Sequence, residues 1–275
     1  MKKITSPFEI QVLANDIRKD ILKSLSQAGS GHSAGALGLA DIFTALYFSL
    51  LNHDPQNPNW EERDRLFLSN GHVCPALYAV LANAGYFPKK ELKTMRKLSS
   101  RLQGHPVRES LPGLESTSGP LGSGLAQAAG YAYGAKMDNK RFRVYAITSD
   151  AEHQEGNHWE AVLFAAKYKL NNLTSFVDRN FIQISGSTEE IMPLEPLKAK
   201  YEAFLWNVIE IDGNNVSQIF ESVEKARKET QKPTVIIANT IPGKGVPFME
   251  GRFEWHGKSP TNEEAEAAIK ALDKA

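Results

Sequence analysis

The chain has 275 residues, and its 32 Lys and Arg are balanced by 32 Asp and Glu. Zero formal charge argues against a nucleic-acid binder and against attachment to membranes by charge, and 41% hydrophobic with 23% charged content excludes a disordered chain. The single cysteine, Cys74, excludes an intrachain disulfide and a cysteine-rich zinc site. No apolar run reaches about 18 residues, as a membrane-spanning helix would need. The start, Met1-Lys2-Lys3-Ile4, leads into polar sequence and not a signal-peptide core, so a reducing cytoplasm is expected.

In chain order, Ile10, Leu13, Ile17, Ile21 and Leu25 recur at three- and four-residue steps and predict a helix from Phe8 to Ala28. Gly29-Ser30-Gly31-His32 stops it. A second helix is predicted from about Leu39 to Leu51, then a loop with Pro55 and Pro58. Arg65 to Ser69 reads as a short buried strand, and 98–118 as an irregular stretch of the kind that is functional or disordered. A Gly-rich turn, Thr117 to Gly124, opens an Ala-rich helix from Leu125 to Lys136. Strands are predicted at Val144–Thr148, Leu173–Val177, Val208–Ile211 and Val235–Ala238, with helices at Asn157–Tyr168, Val216–Lys228 and Asn262–Lys274. This alternation predicts βαβ units: one α/β domain over 1–275, a parallel sheet flanked by helices, with ligands outside the carboxyl ends of the strands.

Three features carry chemistry. Asp150 and Asn180 follow successive predicted strands and lie thirty residues apart, the length of one right-handed crossover. Their hard oxygens suit Mg²⁺ or Ca²⁺, with backbone oxygen, water and ligand phosphate filling the shell. The alternative for Asp150 is a plain helix cap. The turn at Thr117 to Gly124 offers free N–H groups that suit phosphate, or is a tight loop packed through glycine. Four of the seven histidines, His32, His72, His105 and His256, stand next to glycine in predicted loops. Neutral imidazoles there would hold hydroxyls and phosphates and move protons near pH 7.

These motifs, in this order, resemble the N-terminal, diphosphate-binding part of transketolases, and in particular the N-terminal subunit of a split transketolase. The resemblance runs from Ser30-Gly31-His32-Ser33, through Thr117-Ser118-Gly119-Pro120-Leu121-Gly122, Tyr168 to Leu173 and Val177-Asp178-Arg179-Asn180, to Phe253-Glu254-Trp255-His256-Gly257. It implies thiamine diphosphate and a divalent cation, Mg²⁺ or Ca²⁺, used to move a two-carbon ketol unit between sugar phosphates. By resemblance, Asp150, Asn180 and the backbone carbonyl of Ile182 bind the metal. Gly119, Pro120 and Leu121 contact the cofactor, with Ala151 beside the diphosphate and His72 and His256 near it. His32 and His105 hold the donor ketose, and Glu155 meets a partner subunit. That partner would carry the pyrimidine-binding and C-terminal domains in an α2β2 heterotetramer, and would supply the glutamate that activates the cofactor.

The chain departs from the family at Ser149-Asp150-Ala151, where the signature is Gly-Asp-Gly. If residue 151 needs positive φ, alanine costs about 1–2 kcal/mol; if φ is negative, only a methyl is added. Two other readings are an alpha-type subunit of a thiamine-diphosphate 2-oxo acid dehydrogenase and a non-catalytic subunit with a degenerate cofactor site, the latter motivated by Ser149 and Ala151.

Overall fold

A computed structural model describes residues 3–274. Its first helix is α1 (Pro7–Ala28). Ser6 accepts from the Glu9 N–H at its start, and Gly29 closes it at φ 66°. The chain continues through α2 (Ala34–Gly38), α3 (Ala40–Ala45) and a π turn at Leu46–Leu50, then β1 (Arg65–Leu68) and α4 (Cys74–Ala84). No helix or strand lies between Thr94 and Ser123, where the sequence predicts irregular chain. Next come α5 (Ser123–Met137), β2 (Val144–Ser149), α6 (Gly156–Lys167), β3 (Leu173–Arg179), β4 (Ile182–Gln183), β5 (Gly186–Ser187), α7 (Thr188–Ile191) and α8 (Leu197–Ala203). The chain ends in β6 (Asn207–Asp212), α9 (Val216–Lys228), β7 (Thr234–Asn239) and α10 (Asn262–Leu272). None of these helices is long and apolar enough to cross a membrane.

Five strands form one parallel sheet in the order β1-β2-β3-β7-β6. Alternate side chains of each strand enter opposite layers. Tyr145 and Ile147 join Ile17, Phe43 and Tyr78 under α1, α3 and α4. Val144 and Ala146 join Leu125, Val162 and Trp206 under α5 and α6. Because both faces of β1, β2 and β7 are covered, these strands read as nearly continuous apolar runs, which is why the sequence displays them.

Two expectations need correction. The helix predicted from Leu39 begins instead at Ala34 and breaks at Leu39. Gly35 and Gly38 hide this start, yet they are needed: a Cβ on Gly38 would come within 3.0 Å of the Ile241 carbonyl oxygen, and one on Gly35 within 2.9 Å of Val73. The helix α4 is not predicted at all, because nearly every residue of it is buried and no polar face marks a period.

Candidate active site

The parallel sheet brings the carboxyl ends of β1, β2, β3 and β7 to one edge, and the expected site residues gather there. Ser149 pairs with Asp178 across β2 and β3, so Asp150 and Asn180 leave neighbouring strands at the same level. The Asp150 carboxylate is fully buried. One oxygen accepts from the Ala151 N–H at 2.7 Å, and the other from the Phe181 N–H at 2.8 Å and Arg179 at 3.2 Å. Asp150 therefore caps the short 3₁₀ turn Ala151–Gln154 and also faces the Asn180–Ile182 loop. Burial raises its pKa to about 6, against the pull of the Phe181 N–H and Arg179.

Asn180 is oriented by a residue that sequence reasoning passed over. Its amide donates to Asp178 at 2.9 Å, which turns Oδ1 toward the Ile182 N–H at 3.0 Å. Asp178 also accepts from the Thr240 hydroxyl. Burial lifts Asp178 to about 7 despite Thr240, with the nearby Asp150 charge adding to the rise. A carboxylate buried inside a strand is the signal that marks it. Arg179 is a second such signal: its guanidinium meets Asp150, Glu189 and Glu195 and lies 3.9 Å from the Phe181 ring centre. Phe181 takes φ 64°, a conformation unusual for a bulky side chain.

The histidines come from distant loops. His32, His72 and His256 form a triangle with ring centres 5.0, 5.7 and 5.2 Å apart. His105 sits against Gly71 and Gly119: a Cβ built on Gly71 would lie 3.1 Å from its ring, 3.1 Å from the Gly119 N and 2.7 Å from Ser118. Gly119 itself has φ 148°. Burial pushes all four imidazoles below their usual value, His32 to about 4, with His256, His105 and Arg96 adding to the effect on His32. They are neutral bases at pH 7. Pro120 and Leu121 continue this loop to α5, whose first turn is anchored by the Gly124 N–H on Ser69 at 3.0 Å.

Ala151 does not have positive φ, and it opens the 3₁₀ turn. The strain that would make this position a defect is absent. Glu155 stands at the start of α6, exposed, and its side chain caps nothing. A Cβ on Gly122 would come within 2.8 Å of it, so Glu155 borders the glycine loop.

The residues present fit a diphosphate cofactor and a hard cation. Buried Asn70, next to Gly71, has neither amide atom bonded, and His32 Nδ1 is likewise without a partner. Gly71 and Gly119 leave room that any side chain would fill. Asp150 and Asn180 present oxygen ligands of the type Mg²⁺ takes. No group of three or more His, Cys, Asp or Glu among the described residues is placed to hold a metal, so water, backbone and ligand oxygens would complete its shell. Cavities elsewhere include one of about 380 Å³ lined by Arg18, Asp41 and Asn214 and one of about 510 Å³ lined by Arg65, Tyr131 and Phe142.

The fold and this edge define an α/β protein with a neutral, histidine-lined polar site at the carboxyl ends of its strands. Residues 10–273 match the family described as transketolase, thiamine diphosphate binding domain, and the chain belongs to that family. It is 44% identical over 266 residues to the 6-deoxy-6-sulfo-D-fructose transketolase subunit SqwG of a Clostridium species, covering 97% of each chain. It is 42% identical to an apulose-4-phosphate transketolase subunit of Actinobacillus succinogenes, covering 96% of each. The transketolase of Campylobacter jejuni superposes with a TM-score of 0.91 at 35% identity, over 96% of this chain and 42% of that one.

Proposed function

We propose that the chain is the N-terminal subunit of a two-chain, thiamine-diphosphate-dependent transketolase that moves a two-carbon ketol unit between sugar phosphates. The observation that carries this reading is the convergence of four neutral histidines and a glycine cradle on the edge that holds Asp150 and Asn180. Asp150, Asn180 and the Ile182 carbonyl would hold Mg²⁺, with Asp178 fixing the Asn180 amide. Gly119, Pro120 and Leu121 would line the cofactor, and His72 and His256 would meet its diphosphate. When bound, thiamine diphosphate supplies the nucleophilic carbon that cleaves the ketose.

This chain's own task is to bind and orient. A neutral imidazole donates through one nitrogen and accepts through the other, so His32 and His105 can each hold a sugar hydroxyl and pass its proton. The unpartnered Nδ1 of His32 is free for that contact. Glu155, exposed beside the glycine loop, would meet the partner subunit. The chain spans 42% of the Campylobacter transketolase, and the relatives it matches over 96–97% of each chain are named as transketolase subunits, which supports a partner that would supply the other domains. An α2β2 heterotetramer in the cytoplasm follows from this reading, and a pentose phosphate or a specialised ketose is the expected donor.

The test is a ketol-transfer assay with thiamine diphosphate and Mg²⁺. The chain alone should show no turnover, and adding a separate C-terminal subunit should restore it. Full turnover without a second subunit overturns the two-chain reading, and activity of the pair on 2-oxo acids but not ketose phosphates favours the dehydrogenase reading.

A further inference from the structure

Behind the Asp150 turn lies a buried polar cluster that the mechanism above does not use. His153, His158, Tyr201 and Glu152 come from the 3₁₀ turn, α6 and α8, and at most 3% of any of them is exposed. Both imidazole Nε2 atoms converge on one hydroxyl: Tyr201 is 2.7 Å from His153 and 2.8 Å from His158. His153 Nδ1 lies 2.9 Å from the Ser149 carbonyl oxygen and 3.0 Å from that of Asp150.

Hydrogen-bond bookkeeping leaves one arrangement. Both rings are buried with centres 3.9 Å apart, and no carboxylate of the described residues lies within hydrogen-bond distance of either, so each ring is neutral and carries one proton. Two carbonyls can only accept, so His153 carries its proton on Nδ1. Its Nε2 is then a lone pair and accepts from the Tyr201 hydroxyl. That uses the only proton Tyr201 has, so its oxygen accepts from His158 Nε2–H. His158 Nδ1 is left as a bare lone pair, and it has no partner, with Glu152 3.9 Å away.

We propose that the Ser149 and Asp150 carbonyls fix His153 as the Nδ1–H tautomer, that Tyr201 relays this to His158 as the Nε2–H tautomer, and that His153 so held clamps the two carbonyls, making these three residues positioning residues for Asp150 and Ala151. The clamp explains how the turn is fixed without flanking glycines: one N–H bridges two successive carbonyls, and the Ala151 N–H is left facing the Asp150 carboxylate at 2.7 Å. The consequence for cofactor binding rests on the function proposed above; the clamp itself does not.

Imidazole nitrogen NMR on the full-length chain reads the tautomers directly. His153 should appear protonated at Nδ1 and His158 at Nε2, both neutral at pH 7. His153→Leu, close in volume, should speed hydrogen exchange at the Ala151 amide and weaken thiamine diphosphate binding in Mg²⁺ about tenfold, as expected when a bond of about 1.4 kcal/mol is lost. His153→Gln, whose amide can donate to the carbonyls and accept from Tyr201, should recover most of both. Reversed tautomers, or a folded His153→Leu with parental Ala151 exchange, overturn the proposal. If His153→Leu does not fold, Tyr201→Phe takes its place: His158 should lose its fixed tautomer while His153 keeps its proton on Nδ1, and an unchanged His158 or a changed His153 overturns the proposal. If the parent chain with its partner binds no cofactor, the proposed function fails, while the tautomers and the Ala151 exchange still decide the clamp.

Discussion

Asp150 separates a cap from a ligand, and two substitutions distinguish them. Asp150→Ala would strip acceptors from the Ala151 and Phe181 N–H groups and from Arg179. Two buried donors left unpaired cost about 1–3 kcal/mol each, and Phe181 also loses the bond that holds its left-handed backbone. Opposing this, the native site disfavours the ionised carboxylate: the rise from 3.8 to about 6 corresponds to about 3 kcal/mol at pH 7. The two effects nearly offset for alanine. Asp150→Asn relieves the same charge and keeps one acceptor, so its melting temperature should stay within a few degrees of the parent's. As a metal ligand, however, asparagine lacks the charge. Calorimetry on the complex with its C-terminal subunit should show Mg²⁺-dependent thiamine diphosphate affinity reduced by about 2–5 kcal/mol, at least about thirtyfold. Parental cofactor affinity in a folded Asp150→Asn complex would show that Asp150 only caps the 3₁₀ turn.

Three more outcomes follow from the geometry. Ala151→Gly should not tighten cofactor binding and should lower stability by up to about 1 kcal/mol, because the native φ is one alanine accepts freely; a tighter complex by titration would contradict this. Gly71→Ala should cost about 1–3 kcal/mol in a denaturant titration, since its Cβ meets Ser118 at 2.7 Å, and should weaken cofactor binding by displacing the 118–119 loop; unchanged values would show that the loop yields. All seven histidines are held below 6.5, so their contribution to stability is full above pH 6.5 and is lost as pH falls toward each folded value, about 4 for His32 and about 3 for His158. Asp150 and Asp178, raised to about 6 and 7, take up protons in the folded state first and offset part of this loss. The melting temperature should fall from pH 6.5 to 4.5, less steeply in His72→Gln, by up to about 1.4 kcal/mol per pH unit for the proton removed; a flat profile would refute the neutral-histidine description.

The sheet was legible because parallel strands covered on both faces must be apolar throughout. The strand β3 shows the limit of that signal: its pattern predicts an end at Val177, but pairing continues through Asp178 and Arg179, which are polar and buried. Their partners, Thr240, Glu189 and Glu195, satisfy them through the tertiary structure, and no local pattern records that. The four glycine-flanked histidines were visible as separate loops, yet the distances that make them one site come from the fold. His153, His158 and Tyr201 had no such flag: up to 48 residues separate the partners of one hydroxyl, and only His158 falls in a predicted helix. The short β4–β5 pair, two residues to a strand, falls below any detectable alternation.

The histidine triangle also sets a clock on biosynthesis. His32 and His72 emerge from the ribosome early, but they have no third member until His256, and 224 residues separate it from His32. At about 5–20 residues per second, that is a wait of roughly 10–45 s. The hydroxyl of Ser26 then meets Asn262 at 2.7 Å as α10 settles on α1, so the first and last helices close together. A nascent or truncated chain that has the sheet but lacks this last segment holds a pair of histidines and no triangle. Ligands that need all three rings therefore discriminate chains that include His256 from shorter ones.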